Sequence, residues 1–392
     1  MSRLSVGVGI STERATEAAT REAVRLAMGR AGLTRAAWAV CFFTPEHLSQ
    51  ADIIRRVLMD ESGCLTLSGC SASGVIGTGR EVEGSEAIGV MVGASNAFET
   101  RSALLDMGLE GVSDFFRAPS RDEWQGVLLA MPDAFRIDAM SVIRRLSEGP
   151  AGLDAFGGGA TDDGTLGLSL QLGMEGVRSS SLALHGFYGD IKHFTGITQS
   201  CLSVGDPHFI TNSSGNILKE LDGRPAMQAL IDIGKQLGLD SMQEVAEQLL
   251  FGFPLDPENP EFIGESCLVR PLMGFDQESQ GLIIPHEIQP HGTVGFMHRN
   301  PIKAEADLDR MLIRLGRDLG GVPDFGFYFN CSARGQTLYG RGGVDVRAIH
   351  EHLGEFPLLG MFGGYEIGSV LGRANIYSFS GVLVLFKVLP PG

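Results

Sequence analysis

The sequence predicts an α/β protein of two domains, with mixed sheets and repeated strand-helix-strand units that end in glycine-rich corners. Residues 38–74 and 126–164 each read as apolar strand, helix, apolar strand and a corner of small residues. The first corner is Gly69-Cys70-Ser71-Ala72-Ser73-Gly74; the second is Gly157-Gly158-Gly159-Ala160-Thr161-Asp162-Asp163-Gly164. The run Ile-Arg-Arg stands thirteen residues before the matching glycine in both, Ile54-Arg55-Arg56 before Gly69 and Ile143-Arg144-Arg145 before Gly158. A looser third copy runs from Phe325 through a helix at Val344–Leu353 to Gly360-Met361-Phe362-Gly363-Gly364. A corner without side chains lets a ligand or another backbone approach closely.

The other elements follow in chain order. Ala15, Ala18, Ala19, Ala23, Leu26 and Ala27 mark one face of an amphipathic helix ending near Gly29 and Gly32. A strand is expected at Ala87–Val92. Ser181–Tyr188 and Ile191–Ile197 read as a hairpin about a Gly189-Asp190 turn, since a glycine-first two-residue turn suits type II′ geometry. Residues 205–225 read as irregular, Leu221-Asp222-Gly223-Arg224-Pro225 as a turn into the helices of 226–251, and Pro254–Pro260 as a connector. The domains are therefore drawn as 1–225 and 226–392.

Composition bounds the function. A chain of 392 residues holds two or three domains at roughly 100–200 residues each. Its 54 glycines, about double the usual 7% share, lie within apolar segments and mark corners and bulges. The net charge of −16 comes without any cluster of Lys and Arg, which argues against nucleic acid and against an anionic membrane surface. The N-terminus has no charged region leading into a hydrophobic signal. The apolar run Gly381–Phe386 falls far short of the ~20 residues that cross a bilayer, so a cytoplasmic protein is expected. Six cysteines without C-x-x-C spacing read as reduced and buried.

Catalytic motifs fail on spacing. Ser71 lacks the second glycine of a nucleophile elbow, because Ser73 stands there and Gly74 comes one residue late. His286 and His291 are five apart, and Pro290 would break the helix a zinc protease motif needs. His350 and His352, two apart on a helix, point in different directions. No P-loop lysine follows a glycine corner, and Gly7-Val8-Gly9 lacks the rest of a dinucleotide fingerprint. The chain is read as a binding protein rather than an enzyme, with a hydrolase using Ser71 or Cys70 and a ligand-free adaptor as alternatives.

Five segments then carry a resemblance. Gly69–Ile76 with Glu83-Gly84, Gly158-Gly159-Ala160, Glu220–Ala226, Asn330-Cys331-Ser332-Ala333-Arg334-Gly335 and Gly360–Ile367 together resemble the FIST family over about residues 30–380. The resemblance implies an intracellular sensor of a small-molecule ligand that feeds a separate signalling protein, a histidine kinase or a cyclic-di-GMP enzyme. One branch of that family comprises haem-binding nitric oxide sensors, which would make haem b the cofactor. Where the family tends to have Gly-Glu-Ile, a small residue and proline, this chain has Tyr365-Glu366-Ile367-Gly368-Ser369; the phenol narrows any pocket at that corner and adds a hydrogen-bonding group.

The ligand-binding candidates are Gly69, Cys70, Ser71, Gly158, Gly159, Asn330, Cys331, Arg334, Tyr365 and Glu366. Arg334 can clamp a carboxylate, including a haem propionate, or form an ion pair with one of the 47 acidic residues. Glu366 is the natural partner for an amine or for Arg334 itself, and the two as a charge pair would suit an amino-acid-like metabolite. For a haem ligand His193 ranks first, because the hairpin register places it opposite Gly186, with room before its ring; His185 and His298 are the alternatives. A slip of one residue would exchange the faces of His185 and His193. A homo-oligomer is left open.

Overall fold

The computed structural model describes residues 4–107, 111, 115, 126–147, 154–370 and 372–389. The chain forms two compact units, one of Met1–Ile197 with Leu308–Gly392 and one of Thr198–Asp307. Residue 225, where the sequence was divided, lies inside the second.

The first unit is made of three tandem repeats. The first repeat runs β1 (Leu4–Ser11), α1 (Thr16–Ala31), β2 (Trp38–Phe43), α2 (Ala51–Ser62), β3 (Thr66–Ser71), the hairpin β4 (Gly74–Gly77) and β5 (Arg80–Glu83), and β6 (Ile88–Ser95). The second runs β7 (Phe98–Asp106), β8 (Gly126–Pro132), α3 (Ala139–Ser147), β9 (Asp154–Gly158), the hairpin β10 (Gln171–Gly173) and β11 (Gly176–Arg178), and β12 (Ser181–Gly189). The third opens with β13 (Ile191–Gln199), after which the chain builds the second unit.

That unit carries β14 (Cys201–Ser214), β15 (Ile217–Leu221), β16 (Arg224–Pro225), α4 (Ala226–Gln236), α5 (Met242–Gln248), β17 (Leu249–Pro254), β18 (Cys267–Pro271), β19 (Gly274–Asp276), β20 (Gly281–Ile283) and β21 (Thr293–Arg299). Its sheet runs β18-β17-β21-β14-β15-β20-β19, with β16 beside β15. The stretch 205–225, expected to be irregular, is therefore mostly strand. Register shifts between Val204 and His208 and between Ile210 and Ser213 break its alternation, which is why the period-2 signal was missing. The third repeat resumes with α6 (Pro301–Leu319), β22 (Phe325–Cys331), α7 (Gly335–Tyr339), α8 (Val344–Leu353), β23 (Leu358–Gly363), the hairpin β24 (Glu366–Val370) and β25 (Arg373–Tyr377), and β26 (Ser380–Val388).

Each repeat centres on a parallel strand pair joined by a helix: β2 with β3, β8 with β9, β22 with β23. Their registers coincide. Cys41 faces Gly69, Ala130 faces Gly157 and Tyr328 faces Gly360. At each of these glycines a Cβ would lie 2.2, 1.9 or 1.8 Å from the carbonyl oxygen of the facing residue, so only glycine fits. The structural partner of Gly69 is thus Gly157, one residue before the Gly158 that the Ile-Arg-Arg spacing selects.

Every repeat gives its hairpin to another repeat's sheet. The three sheets run β1-β6-β2-β3-β10-β11, β7-β12-β8-β9-β24-β25 and β13-β26-β22-β23-β4-β5. The first hairpin extends the third sheet, the second extends the first, and the third extends the second. The exchange is cyclic, and it closes.

Helices cover the outer faces. Ala19, Ala23 and Ala27 of α1 and Ile54 and Leu58 of α2 pack on Ala39, Cys41 and Val90. Val142 and Leu146 of α3 pack on Leu128 and Leu184, while Leu312 and Leu315 of α6 and Ile349 of α8 pack on Tyr328 and Leu383. The inner faces meet in an aromatic core. Trp38 lies 5.5 Å from Phe187, Phe156 lies 5.8 Å from Phe329, and Phe325 stacks on Phe386 at 4.4 Å. Such contacts add roughly 0.5–1.5 kcal/mol per pair beyond burial.

The expected Ser181–Ile197 hairpin does not form. β12 lies between β7 and β8, whereas β13 is the edge strand beside β26. Gly189, at φ +134, and Asp190 carry the chain from one sheet to the other, tied by Asp190 N–H to the Ala97 carbonyl. The residues opposite Gly186 are Arg101 and Leu128, and the space a side chain would take there is filled by the hydroxyl of Tyr188.

Candidate functional site

The three glycine corners converge and bond to one another. Ser71 Oγ donates to the Thr161 carbonyl at 2.9 Å, and Thr161 N–H returns to Ser71 O at 3.2 Å. Ser73 donates to the Phe362 carbonyl through N–H at 3.0 Å and through Oγ at 3.1 Å. Gly159 N–H donates to Tyr365 O at 2.9 Å, and Gly364 N–H to Gly159 O at 3.0 Å. Between these corners the Cys70 thiol lies 3.4 Å from the thioether of Met361, whose methyl would lie 2.9 Å from a Cβ on Gly158. Gly69, Cys70, Ser71, Gly158 and Gly159 are thus brought together, as backbones packed on each other. Burial pushes the Cys70 thiol well above its ordinary range, and the Ser71 hydroxyl also accepts from Leu170 N–H at 3.1 Å.

The third corner carries a buried ion pair. Arg334, after β22, is fully buried and donates to Asp345 in the first turn of α8, with Nη2 3.2 Å from Oδ1 and 3.0 Å from Oδ2. Tyr328 hydroxyl at 2.7 Å and Asn330 Nδ2 at 3.0 Å also donate to Asp345 Oδ2, and Tyr339 hydroxyl donates to Oδ1 at 2.8 Å. Burial opposes the Arg334 charge most strongly, but Asp345, Tyr339 and Tyr328 together outweigh it and hold the guanidinium pKa well above its usual value. The Arg334 clamp is therefore closed on an internal carboxylate. Around it the exchanged hairpin of the first repeat supplies two more carboxyls. Glu81 accepts from Gly343 N–H at 2.7 Å and Val346 N–H at 3.1 Å, at the start of α8. Glu83 accepts from Gln336 N–H at 3.2 Å, at the start of α7. Burial, then the charge of Asp345, raises Glu81 to about 7.

Glu366 stands on β24, opposite Gly158. It is fully buried; Oε2 accepts from the hydroxyl and N–H of Ser380, and Oε1 has no hydrogen-bond partner. Burial raises its pKa to about 8, against the pull of Ser380, Arg334 and the Cys331 thiol, and Cys331 itself is pushed up to about 12, also by burial. The equivalent residues of the other repeats are Gln171, opposite Cys70, and Val75, opposite Met361. Gln171 is satisfied, accepting from Ser181 Oγ at 2.8 Å and donating to Ser169 Oγ at 3.2 Å, and Val75 is simply packed. Of the three symmetric positions, only the third holds an ionisable group. Tyr365 hydroxyl and Asn330 Oδ1 are further buried polar atoms without a partner.

The candidate histidines are dispersed. His193 Nε2 is 2.9 Å from Asp154 Oδ2, and His298 Nε2 is 3.3 Å from Gln248 Oε1. His185 binds Ser68 Oγ through Nδ1 at 3.0 Å; its Nε2 has no partner but lies in the aromatic core, 5.0 Å from the Phe187 ring and 6.1 Å from that of Trp38 between centroids. Burial lowers its pKa to about 3. With Nε2 engaged in two histidines and enclosed in the third, these side chains as arranged do not fit a haem.

Sequence reasoning missed Tyr328, Tyr339, Asp345, Glu81, Glu83 and Ser380. The signal for Asp345 was its place at the start of a helix, two residues after Gly343. Aligning the third repeat would also have set Glu366 against Val75.

Three βαβ repeats whose corners meet around a buried, partly unsatisfied polar cluster define a binding module. The FIST N domain model matches residues 37–224 and the FIST C domain model residues 227–369. The chain belongs to the FIST family, whose domains are small-ligand sensors in signalling proteins. An uncharacterized protein of Mycobacterium tuberculosis strain H37Rv is similar, 28% identical over 385 residues, covering 98% of this chain and 100% of its own. An uncharacterized Mycobacterium bovis protein is 26% identical over 397 residues, covering 98% and 99%. Among the described residues no helix is long and apolar enough to cross a membrane.

Proposed function

We propose that the chain senses a small ligand bearing a cationic group, such as a primary amine, at the third corner. The observation that carries this reading is the unpartnered Oε1 of Glu366, buried beside Ser380 and Cys331. An uncompensated buried carboxyl is costly, and the two equivalent positions show that the fold does without one. An ammonium would supply both the donors and the charge that Glu366 lacks. With Arg334 held by Asp345, the amino-acid clamp expected of the Arg334 and Glu366 pair reduces to its Glu366 half. Occupancy is then passed to a separate histidine kinase or cyclic-di-GMP enzyme.

The test is a thermal-shift screen of amines, amino acids and organic acids against the wild-type chain and Glu366→Gln. Stabilisation by amines that disappears in the variant supports the reading; stabilisation by acids alone, or equal in both proteins, overturns it. A haem-based nitric oxide sensor is harder to accommodate, since haem would have to reach His185 behind Trp38 and Phe187 or displace Asp154 from His193. A visible spectrum after haem addition, repeated with His185→Ala and His193→Ala, decides that version: a Soret band lost in one variant would restore it.

A further inference from the structure

The repeats differ in how each pins the link between its exchanged hairpin and the strand that follows. Three residues after Cys41, Ala130 and Tyr328, which face the matched glycines, stand Thr44, Asp133 and Cys331. Each accepts a backbone N–H from the residue just before β6, β12 or β26. Thr44 Oγ1 accepts from Ala87 at 2.9 Å, and Asp133 Oδ2 from Ser180 at 2.9 Å. Thr44 also donates its own N–H to the Ala87 carbonyl at 3.0 Å, and Asp133 Oδ1 is fixed by the N–H groups of Phe135 at 2.9 Å and Arg136 at 3.2 Å. In the third repeat the acceptor is the Cys331 thiol, which takes the N–H groups of Ala333 and Phe379. Sulfur accepts weakly, so this pin is the weakest of the three.

The third link is also strained. It consists of Ser378 and Phe379 between β25 and β26, and Phe379 has φ +57. Ser180 holds the same place in the second repeat at φ +51, but with a short side chain; a residue as bulky as phenylalanine is disfavoured there. The next residue, Ser380, gives its N–H and its hydroxyl to Oε2 of Glu366, whose Oε1 has no hydrogen-bond partner. Glu366 and Ser380 have no exposed surface and Cys331 has 4%, whereas Ser378 and Phe379 are half-buried. Along the path from Glu366 through Ser380, the surface is therefore reached at Phe379.

We propose that the Ser378-Phe379 link is the gate of the Glu366 site, swinging out to admit the ligand's cationic group and closing over it. This rests on the reading of Glu366 as the ligand's counter-charge. The weak pin and the strained φ both favour opening here, at the one corner of the three whose hairpin carries a carboxyl at that position. Since β25 belongs to the second sheet and β26 to the third, a displaced link is felt in two sheets at once.

Alkylation of the full-length chain with iodoacetamide, resolved by peptide mass spectrometry, reports opening at Cys331 without any ligand, and the other five buried cysteines serve as internal controls. Cys331 should react at least about tenfold faster than Cys70, although both are buried. Phe379→Ala and Phe379→Gly both remove the ring, but only glycine takes φ +57 freely. Cys331 should therefore react at least about fivefold faster in the alanine variant than in the glycine variant. Equal rates in the two, or a Cys331 no faster than Cys70, overturn the gate. If Phe379→Ala does not fold, Phe379→Ser replaces it in the comparison, because Ser180 shows that serine is tolerated at this φ. The ligand step is read separately with n-propylamine, and with propanol as its neutral counterpart. Propylamine, unlike propanol, should raise Tm and slow Cys331 alkylation in the wild type, and do neither in Glu366→Gln. A rise in Tm without slower alkylation means another way in and overturns the gate. No rise in Tm, with the Phe379 variants behaving as expected, keeps the gate and removes the amine.

Discussion

Replacing Asp345 by Asn should be the most damaging isosteric change in the first unit. Asp345 is 1% exposed and accepts from Arg334, Tyr328, Asn330 and Tyr339. An asparagine keeps the shape but loses the charge, and its amide nitrogen offers nothing to the Arg334 guanidinium and the Asn330 amide NH2, which can only donate. The guanidinium of Arg334, with no exposed surface, is left without its counter-charge. Removing one partner of a buried ion pair costs about 3–5 kcal/mol, which for a unit of this size lowers Tm by roughly 5–8 °C. Chemical denaturation followed by circular dichroism measures the loss. The double variant Arg334→Met with Asp345→Leu, which removes both charges, should lose less than Asp345→Asn alone. A single variant within about 1 kcal/mol of wild type, or a double variant that loses more than the single one, would refute the view that this charge pair holds α8 to β22.

Glu366→Gln should change how stability depends on pH. The Glu366 pKa is raised from 4.5 to about 8 in the folded chain, so its contribution is present below 4.5 and lost as pH rises toward 8. The variant should show a flatter fall of Tm across that window, with its stability conserved because Gln171 already occupies the equivalent position; an unchanged slope would contradict the burial of Glu366. Gly69→Ala, whose Cβ would meet the Cys41 carbonyl at 2.2 Å, should cost about 3 kcal/mol or more, since a backbone cannot yield as a side chain does; denaturation midpoints check this. Ser71→Ala removes a hydroxyl bonded to Thr161 O and Leu170 N–H and should cost about 1–3 kcal/mol. A thermal melt that does not move would show that bond to be dispensable.

The parts of the fold legible in the sequence are those with local causes. The helix expected at Val344–Leu353 spans those residues, and the glycine corners fall where small side chains cluster because β3, β9 and β23 abut the carbonyls of their parallel partners. The exchange of hairpins was not legible. Gln171–Gly173 has three residues, too few for a periodic signal, and its partner β3 lies about a hundred residues away, where register depends on the assembled corner. The Ser181–Ile197 reading failed for the same reason: Gly189-Asp190 permits a reversal, but both edges of β12 are taken by β7 and β8. At the site, Arg334 and Glu366 were legible as charges in glycine-rich segments, whereas Asp345, one of 47 acidic residues, was marked only by its place at a helix start.

The cyclic exchange has a consequence for how the protein can be divided. Each sheet borrows its last two strands from another repeat, so cutting out any one repeat removes the edge of one neighbour's sheet and leaves its own sheet without its borrowed hairpin. A fragment holding a single repeat would carry one donor hairpin and one vacant acceptor edge, and could satisfy both only by joining two others in a ring. The single chain thus has the connectivity of a closed trimer fused end to end. Its three corners, free to diverge once fused, keep glycine against the facing carbonyl while their buried charges differ: Asp162 in the second, Arg334 and Glu366 in the third.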